Sequence, residues 1–217
     1  MRYVLLVLAA ATLATASVAE AVPPPSSVSI ATHDRTVVYG VQTTLTGDVL
    51  PAQADAKVTV LAQPCQEIGL PTLAHSAATS TTTTTATGSW TESVTPLATT
   101  TYAAKVKSVT SSSVRIAVRP QVTVMKVGRH RYAVRIAAAR PFVGRRAVFQ
   151  RFRPARSTWS TLRRVTLRSS QTTTAPTAVT SATFRSGVRA GRHVRLVLPR
   201  SQAGSCYLAG RSAPIRS

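Results

Sequence analysis

The strongest constraint on the fold is a repeated alternation of apolar and polar residues, interrupted at short intervals by turn residues. Residues 57–63 read Lys-Val-Thr-Val-Leu-Ala-Gln, which places Val58, Val60 and Ala62 on one side. Residues 131–137 repeat this alternation. Successive side chains of a β-strand point to opposite faces, so a period of two predicts half-buried strands. Beyond the N-terminal region no segment has the 3.6-residue period of an amphipathic helix. The sequence therefore predicts an all-β protein.

The predicted strands fall into two series that meet at Arg119-Pro120. Pro120 lacks a backbone donor and holds Arg119 in an extended conformation, so we expect a short, stiff joint. Each series has about seven short strands in roughly 95 residues, which is long enough for an independent core and typical of an antiparallel β-sandwich. The strands are predicted at residues 28–32, 36–39, 41–49, 57–63, 73–87, 90–95, 101–107 and 113–119, and then at 121–127, 131–137, 147–153, 159–168, 178–185, 193–198, 206–208 and 213–216.

The N-terminus has the features of a secretory signal peptide. Arg2 is followed by an apolar run over residues 4–11, and Ala19-Glu20-Ala21 fits the small-residue cleavage rule. A retained signal anchor is the alternative, but the apolar run is shorter than the roughly 20 residues that a membrane span needs. We expect a secreted, envelope-associated protein that meets the membrane only through its transient signal peptide. The predicted organisation is a signal peptide (1–21), a Pro/Ser leader (22–27), a near-neutral β-sandwich domain (28–119) and an Arg-rich one (120–217).

Charge is distributed very unevenly along the chain. Of the 27 Lys and Arg residues, 20 lie within residues 120–217, whereas none of the six Asp and Glu residues does. This half cannot neutralise itself with side-chain ion pairs, so it repels itself at low salt and attracts polyanions. The alternative is compositional drift, because an excess of Arg over Lys with abundant Ala, Val and Thr is what a GC-rich genome encodes.

Several stretches resemble the Ig-like or fibronectin type III-like repeats of secreted proteins from high-GC Gram-positive bacteria. They are Lys57 to Gln63, the turn at Trp90, Pro96 to Tyr102, and the second, Arg-rich copy after Arg119-Pro120 that ends in Ser201 to Gly210. The resemblance implies tandem β-sandwich domains that serve as spacers or adhesive modules. It supplies no catalytic motif.

The sequence offers no constellation for catalysis or metal binding. Residues 120–217 lack the carboxylate that a Ser-His-Asp triad or a paired-carboxylate hydrolase requires. His33-Asp34 is interpreted as a polar turn. The four histidines, His33, His75, His130 and His193, are too far apart for a structural zinc site. We expect His130 and His193 to face outward from strands. We predict no enzymatic activity, no catalytic or metal-binding residue, no cofactor and no small-molecule substrate.

The two cysteines, Cys65 and Cys206, lie in different halves of the chain. In an oxidising compartment they can bridge the halves, pair between chains or stay free. Free, buried thiols are the favoured interpretation. The Thr-rich tracts at 79–87 and 172–174 are interpreted as exposed sheet faces, with O-linked sugar acceptors as the alternative.

The arginines of residues 120–217 are the distinctive chemical feature, because guanidinium groups bind phosphate and carboxylate in bidentate geometry. The sequence predicts first a structural, spacer or adhesion module at the cell envelope, and alternatively a protein that binds polyanions such as teichoic acid, acidic glycan, anionic lipid or extracellular DNA. Few aromatic residues are present, so specific nucleic-acid recognition is not expected. The candidate polyanion-binding residues are Arg131, Arg135, Arg145, Arg146, Arg151, Arg153, Arg163, Arg164, Arg168 and Arg195.

Overall fold

The computed structural model describes residues 23–67, 77–174 and 176–217, and strands dominate these ranges. The predicted signal peptide, His75 and the first part of the strand predicted at 73–87 lie outside the described residues. Within the described ranges, no helix is long and apolar enough to cross a membrane.

Residues 27–119 form two sheets, which together make the first sandwich. Sheet A has the order β1-β4-β2 with β7 also on β4, and sheet B has the order β3-β10-β8-β5-β6 with β9 on β8. The described pairs are antiparallel except β3 with β10. The strands are β1 Ser27–Val28, β2 Ala31–Thr32, β3 Thr36–Val38, β4 Thr43–Leu50, β5 Lys57–Pro64, β6 Ala77–Thr83, β7 Ser89–Val94, β8 Thr100–Val106, β9 Val109–Thr110 and β10 Val114–Arg119.

Residues 121–216 form two further sheets, the second sandwich. Sheet C has the order β11-β12-β16-β15, and sheet D has the order β14-β13-β17-β18 with β19 also on β17. A 3-10 turn, Pro154–Arg156, follows β13, and a one-turn helix α1, Arg200–Ala203, follows β17. The strands are β11 Gln121–Gly128, β12 Arg131–Ala138, β13 Arg146–Arg153, β14 Thr158–Thr166, β15 Ser169–Thr172, β16 Ala178–Arg185, β17 His193–Leu198, β18 Gly210–Arg211 and β19 Ile215–Arg216.

The period-two alternation determines which side chains enter the core. On β5, Val58 and Val60 are fully buried and Ala62 is nearly so, as predicted. On β12, Tyr132, Val134 and Ile136 are buried, and the rings of Tyr132, Phe149 and Phe184 pack together between sheets C and D with centroids 4.9–5.7 Å apart. The apolar faces of paired sheets therefore meet in a common interior, and the prediction of an all-β sandwich fold is confirmed.

The strand prediction is wrong in several details. The single strand predicted at residues 28–32 is two strands, β1 and β2, and the prediction lacks the short strands β9 and β18. Residues 206–208 do not form a closing strand, because their backbone groups bond instead to residues of the first sandwich. The prediction also lacks β15, because Ser169–Thr172 is exposed throughout and carries no apolar alternation.

The joint between the sandwiches is a single residue. β10 ends at Arg119 and β11 begins at Gln121, so Pro120 alone separates them. Gly210 packs against this joint, and a Cβ at that position would meet a Val122 methyl group at 2.7 Å. Only glycine allows this close approach. Whether residues 28–119 and 120–217 are independent domains stays a prediction.

Candidate functional site

Most of the described hydrogen bonds between the two sandwiches involve one short segment, Ser205–Gly210, which we call the docking segment. Thr99 N donates to Cys206 O at 3.0 Å, and Leu208 N donates to Val118 O at 2.8 Å. The Arg119 guanidinium donates to Ala209 O at 3.2 Å. Backbone groups of the second sandwich therefore satisfy those of the first, which a mobile linker would leave to water.

Glu67 of the first sandwich lies at the centre of this contact. Its Oε1 is 2.5 Å from Arg140 Nη1, and its Oε2 accepts from Cys206 N and Ser205 Oγ, both at 3.2 Å. Gly204 allows the approach, because a Cβ there would meet Oε1 at 2.5 Å. Burial opposes ionisation of Glu67, but Arg140, the Cys206 N–H and Ser205 outweigh it and hold the pKa of Glu67 below its usual value. Arg140 itself is only 7% exposed, so Glu67 neutralises a buried charge.

A disulfide joins Cys65 to Cys206, with Cα atoms 5.4 Å apart. The interpretation of the cysteines as free, buried thiols is therefore wrong. The pairing brings together residues separated by 141 positions, which sequence spacing alone does not reveal. Cys206 belongs to the docking segment and Cys65 to the first sandwich, so the disulfide joins the two sandwiches covalently at this contact.

The Tyr207 hydroxyl forms one hydrogen bond across the contact and one within the second sandwich. Its hydroxyl donates to Leu97 O of the first sandwich at 2.7 Å and accepts from Ala139 N of the second at 3.1 Å. Burial is the main cause that raises the pKa of Tyr207, so the phenol stays protonated and can donate. A further bond at 3.0 Å joins the hydroxyls of Tyr39 and Thr177.

The ten candidate arginines do not form one basic face. Arg131 and Arg135 point outward from sheet C, where Arg131 lies opposite Arg185 and Arg135 opposite Ser181. On sheet D, the face that points away from the core contains Arg146, Arg164 and Arg195. Arg163 lies opposite Phe149, and its guanidinium donates to Arg185 O at 2.7 Å. Arg145 and Arg168 lie in connections beside β13 and β15, and Arg151 and Arg153 lie at the end of β13. The arginines therefore point away from both sheets and from one end of the second sandwich.

The outer face of sheet D contains the most organised arginine. The Arg195 guanidinium lies 4.1 Å from the ring centroid of Trp159, and its Nε donates to Gln150 Oε1 at 2.9 Å. Phe152 packs against Trp159 with centroids 5.3 Å apart. Burial and the nearby charge of Arg211 both lower the pKa of Arg195. Positive charges on this face therefore repel each other, and a bound anion would relieve the repulsion.

The histidines that the structure describes do not assemble a reactive site. The His33 side chain is 95% exposed, and its Nδ1 lies 3.4 Å from Asp34 Oδ1 in the bend after β2. His130 occupies a turn with φ 56°, so its predicted place on a strand is wrong, whereas His193 begins β17 and is exposed. Among the described residues, no three His, Cys, Asp or Glu side chains are close enough to hold a metal ion.

Sequence reasoning missed Glu67, Arg140 and Tyr207, which form the contact between the sandwiches. One signal is present in the sequence: Glu67 is two residues from Cys65, and Tyr207 is next to Cys206. A bridge between the cysteines places Glu67 and Tyr207 near each other, whereas the interpretation as free thiols leaves them unconnected.

The strand orders define the class of protein. Sheet C contains the first, second, sixth and fifth strands of the second sandwich in that spatial order, and sheet D contains the fourth, third, seventh and eighth. This is the Greek-key arrangement of an immunoglobulin constant-type sandwich with one additional edge strand, β14, beside β13. The protein is therefore an Ig-like β-sandwich protein.

No family model and no curated protein matches the chain. Among solved structures it is similar to bovine butyrophilin, with a TM-score of 0.27 and 9% sequence identity, over 88% of this chain and 98% of that chain. A similarity with so low a TM-score carries no argument about function.

Proposed function

We propose that the protein is a secreted, non-enzymatic β-sandwich module that binds extracellular polyanions through its Arg-rich half, residues 120–217. The observation that carries the proposal is the absence of any Asp or Glu in this half, whose arginines point to solvent on several sides. Arginine binds phosphate, sulfate and carboxylate groups through paired N–H donors. A long polymer that reaches more than one face suits this distribution better than a small ligand.

Two features support an extracellular location. The Ala19-Glu20-Ala21 sequence fits signal-peptide cleavage. The Cys65–Cys206 bridge needs an oxidising compartment, since thiols in the cytosol are generally kept reduced. In the cell envelope, teichoic acids and acidic glycans are the abundant polyanions, and the resemblance to secreted repeats of high-GC Gram-positive bacteria fits that setting.

The test is the salt dependence of binding by the purified protein. Affinity for heparin and for lipoteichoic acid is expected to fall steeply between about 50 and 200 mM salt, because each contact to the polymer releases a counterion. Neutral dextran is the control ligand. Absent binding, or binding that is independent of salt, would contradict the proposal.

A matched pair of variants assigns the binding to one half. R146Q/R164Q removes two charges from the outer face of sheet D, and K57Q/K105Q removes two exposed charges from the first sandwich. We expect the first pair to lose affinity several-fold and to reduce the salt slope by about two, and the second pair to change little. Equal losses from both pairs would contradict the assignment of binding to the Arg-rich half alone.

A second candidate function is a rigid spacer, which the Glu67 contact and the disulfide favour. A module whose two sandwiches are bonded through Ser205–Gly210 holds its ends at a fixed separation, as a spacer requires. The two functions are compatible, since a rigid module can also position a polymer-binding surface.

A further inference from the structure

The end of the second sandwich opposite the docking segment contains a cleft of about 420 Å³ that is lined by four arginines. Arg151, Arg153, Arg156 and Arg192 line it together with Phe152, Pro154 and Ala155. A volume of this size lies within the usual range for ligand sites.

The strand pattern explains why arginines gather at this end. Ala147 and Phe149 are fully buried on the inner row of β13, and the same row continues through Arg151 and Arg153. Arg151 lies opposite Val194, near the start of β17, where the sandwich interior ends. The two guanidinium groups therefore extend beyond the hydrophobic core instead of entering it.

Both walls of the cleft are held by hydrogen bonds. On one side, the 3-10 turn that carries Arg156 begins at Pro154 and closes with Ser157 N donating to Pro154 O at 3.1 Å. On the other side, Ser217 fixes the segment that carries Arg192: its Oγ accepts from Arg192 N at 3.1 Å, and its N donates to Arg192 O at 2.9 Å. The walls are therefore preorganised, which reduces the entropic cost of binding.

The four guanidinium groups have no protein partner within the described part of the chain. None forms a hydrogen bond or ion pair there, whereas Arg140, Arg163 and Arg195 each bond to the protein. Four unneutralised charges around one small volume repel each other, so an anion in the cleft gains attraction from all four.

We propose that this cleft binds a tetrahedral oxyanion of a polymer, a phosphodiester or sulfate group, and that Phe152 contacts the adjoining sugar or polyol carbons. The proposal rests on the proposed polyanion-binding function and assigns a specific site within it. A sulfate monoester offers three terminal oxygens, and a phosphodiester offers two that diverge around a tetrahedral centre, so guanidinium forks can approach from different directions, whereas both oxygens of a carboxylate lie in one plane.

The test compares two double variants of the purified protein at about 150 mM salt, where long-range attraction is screened beyond about 8 Å. R156Q/R192Q removes two positive charges, one from each wall of the cleft. R131Q/R185Q, the control, also removes two positive charges, from an exposed pair of arginines on sheet C. The probes are fluorescein-labelled poly(glycerol phosphate), heparin and polygalacturonate. We expect R156Q/R192Q to weaken binding of a phosphate or sulfate polymer about tenfold or more, since bonds to charged groups are the stronger ones. The control pair should lose less than about threefold, because rim charges contribute little individually.

The outcomes separate the cleft from the general function. If the wild-type protein binds with steep salt dependence but both variants lose equally, the cleft is not a site, although the proposed function stands. If the wild-type protein binds none of the three polymers, the proposed function itself fails. If R156Q/R192Q weakens the binding of polygalacturonate as much as it weakens the binding of the phosphate or sulfate polymer, the preference for tetrahedral oxyanions is wrong. Cleft-dependent binding confined to poly(glycerol phosphate) or to heparin identifies the polymer as phosphate or sulfate based.

A third variant distinguishes recognition from charge alone. R156K/R192K keeps both charges but removes the planar forks. We expect it to retain the salt slope and still lose several-fold in affinity, and wild-type affinity in this variant would contradict bidentate binding. Because neither guanidinium bonds to the protein, the thermal midpoints of all three variants should match that of the wild type, which verifies that each is folded.

Discussion

The two ends of the second sandwich use arginine in opposite ways. At the docking segment, Arg140 is buried, and its charge is neutralised by Glu67 of the first sandwich. At the other end, about 27 Å away along the eight residues of β13, Arg156 and Arg192 are exposed and form no ion pair with the described residues. A single carboxylate makes the difference: where the chain supplies an acid, arginine holds the protein together, and where it supplies none, arginine is available to a ligand.

Removal of the disulfide should cause the largest loss of stability. C65A/C206A is expected to lower the free energy of unfolding by about 4 kcal/mol, because the bridge closes a 141-residue loop and restricts the unfolded chain. Urea denaturation of the wild type and the variant measures this difference. An unchanged midpoint would mean that the bridge contributes nothing to the contact between the sandwiches.

Glu67→Gln should have the next largest effect. The substitution leaves the buried Arg140 charge without its partner, which is expected to cost about 3 kcal/mol. Glu92→Gln is the matched control, because Glu92 is half-buried on β7 and has no ion pair among the described residues. E67Q/R140M should recover much of the loss, and denaturation of the single and double variants measures the coupling. If E67Q and E92Q lower the free energy of unfolding equally, Glu67 does not stabilise the contact between the sandwiches.

Tyr207→Phe tests the hydrogen bonds of the same contact. Loss of the hydroxyl leaves Leu97 O and Ala139 N without their partner, at a cost of about 2 kcal/mol in unfolding free energy. Tyr39→Phe removes a single bond, to the half-buried Thr177, and should cost under about 1 kcal/mol. Thermal unfolding ranks the two variants, and the reverse order would show that Tyr207 is not the main polar contact.

Low pH should lower the contribution of Glu67 to the free energy of unfolding. Because the folded pKa of Glu67 lies below its usual value of 4.5, the unfolded chain binds a proton more readily than the folded protein does. The Glu67 contribution is therefore fully present above that value and is lost as the pH falls through the lower folded pKa. The unfolding free energy, measured from about pH 7 to about pH 3, should decline less steeply in E67Q than in the wild type. Parallel curves would contradict the assignment.

Arg156→Gln, at the cleft, should have the smallest effect on stability. Its guanidinium bonds to nothing in the described structure, so the change in unfolding free energy should stay within about 0.5 kcal/mol. At low salt the variant should be slightly more stable than the wild type, because one repelling charge is gone. A destabilisation comparable to that of E67Q would show that Arg156 stabilises the fold, as Arg140 does, and that the two ends of the second sandwich do not differ in this respect.

Alternation predicted the sheets well, since it reflects burial at each position. Val58, Val60, Tyr132 and Val134 are buried as the period of two requires. The alternation fails where consecutive side chains are both buried, as Cys206 and Tyr207 are, and where a strand is exposed on both faces, as in β15.

The sites were harder to predict, because they depend on which strands become neighbours. Charge counting identified the Arg-rich half, but it did not separate Arg151 and Arg153, at the open end, from Arg163, which bonds to β16. Arg156 and Arg192 were not among the candidates, because alternation does not show which connections meet at one end of the sandwich. Glu67 and Arg140 are 73 positions apart in sequence and meet only after both sandwiches have formed.

The Cys65–Cys206 bridge also limits how the protein extends under mechanical tension. A pull applied to residues 23 and 217 passes through the bridge and bypasses the 141 positions between the cysteines. At about 3.5 Å per residue, close to 490 Å of chain is withheld from extension. The bridge also limits how far a polymer held in the Arg-rich half can be pulled away from Cys65, for as long as the bridge stays oxidised.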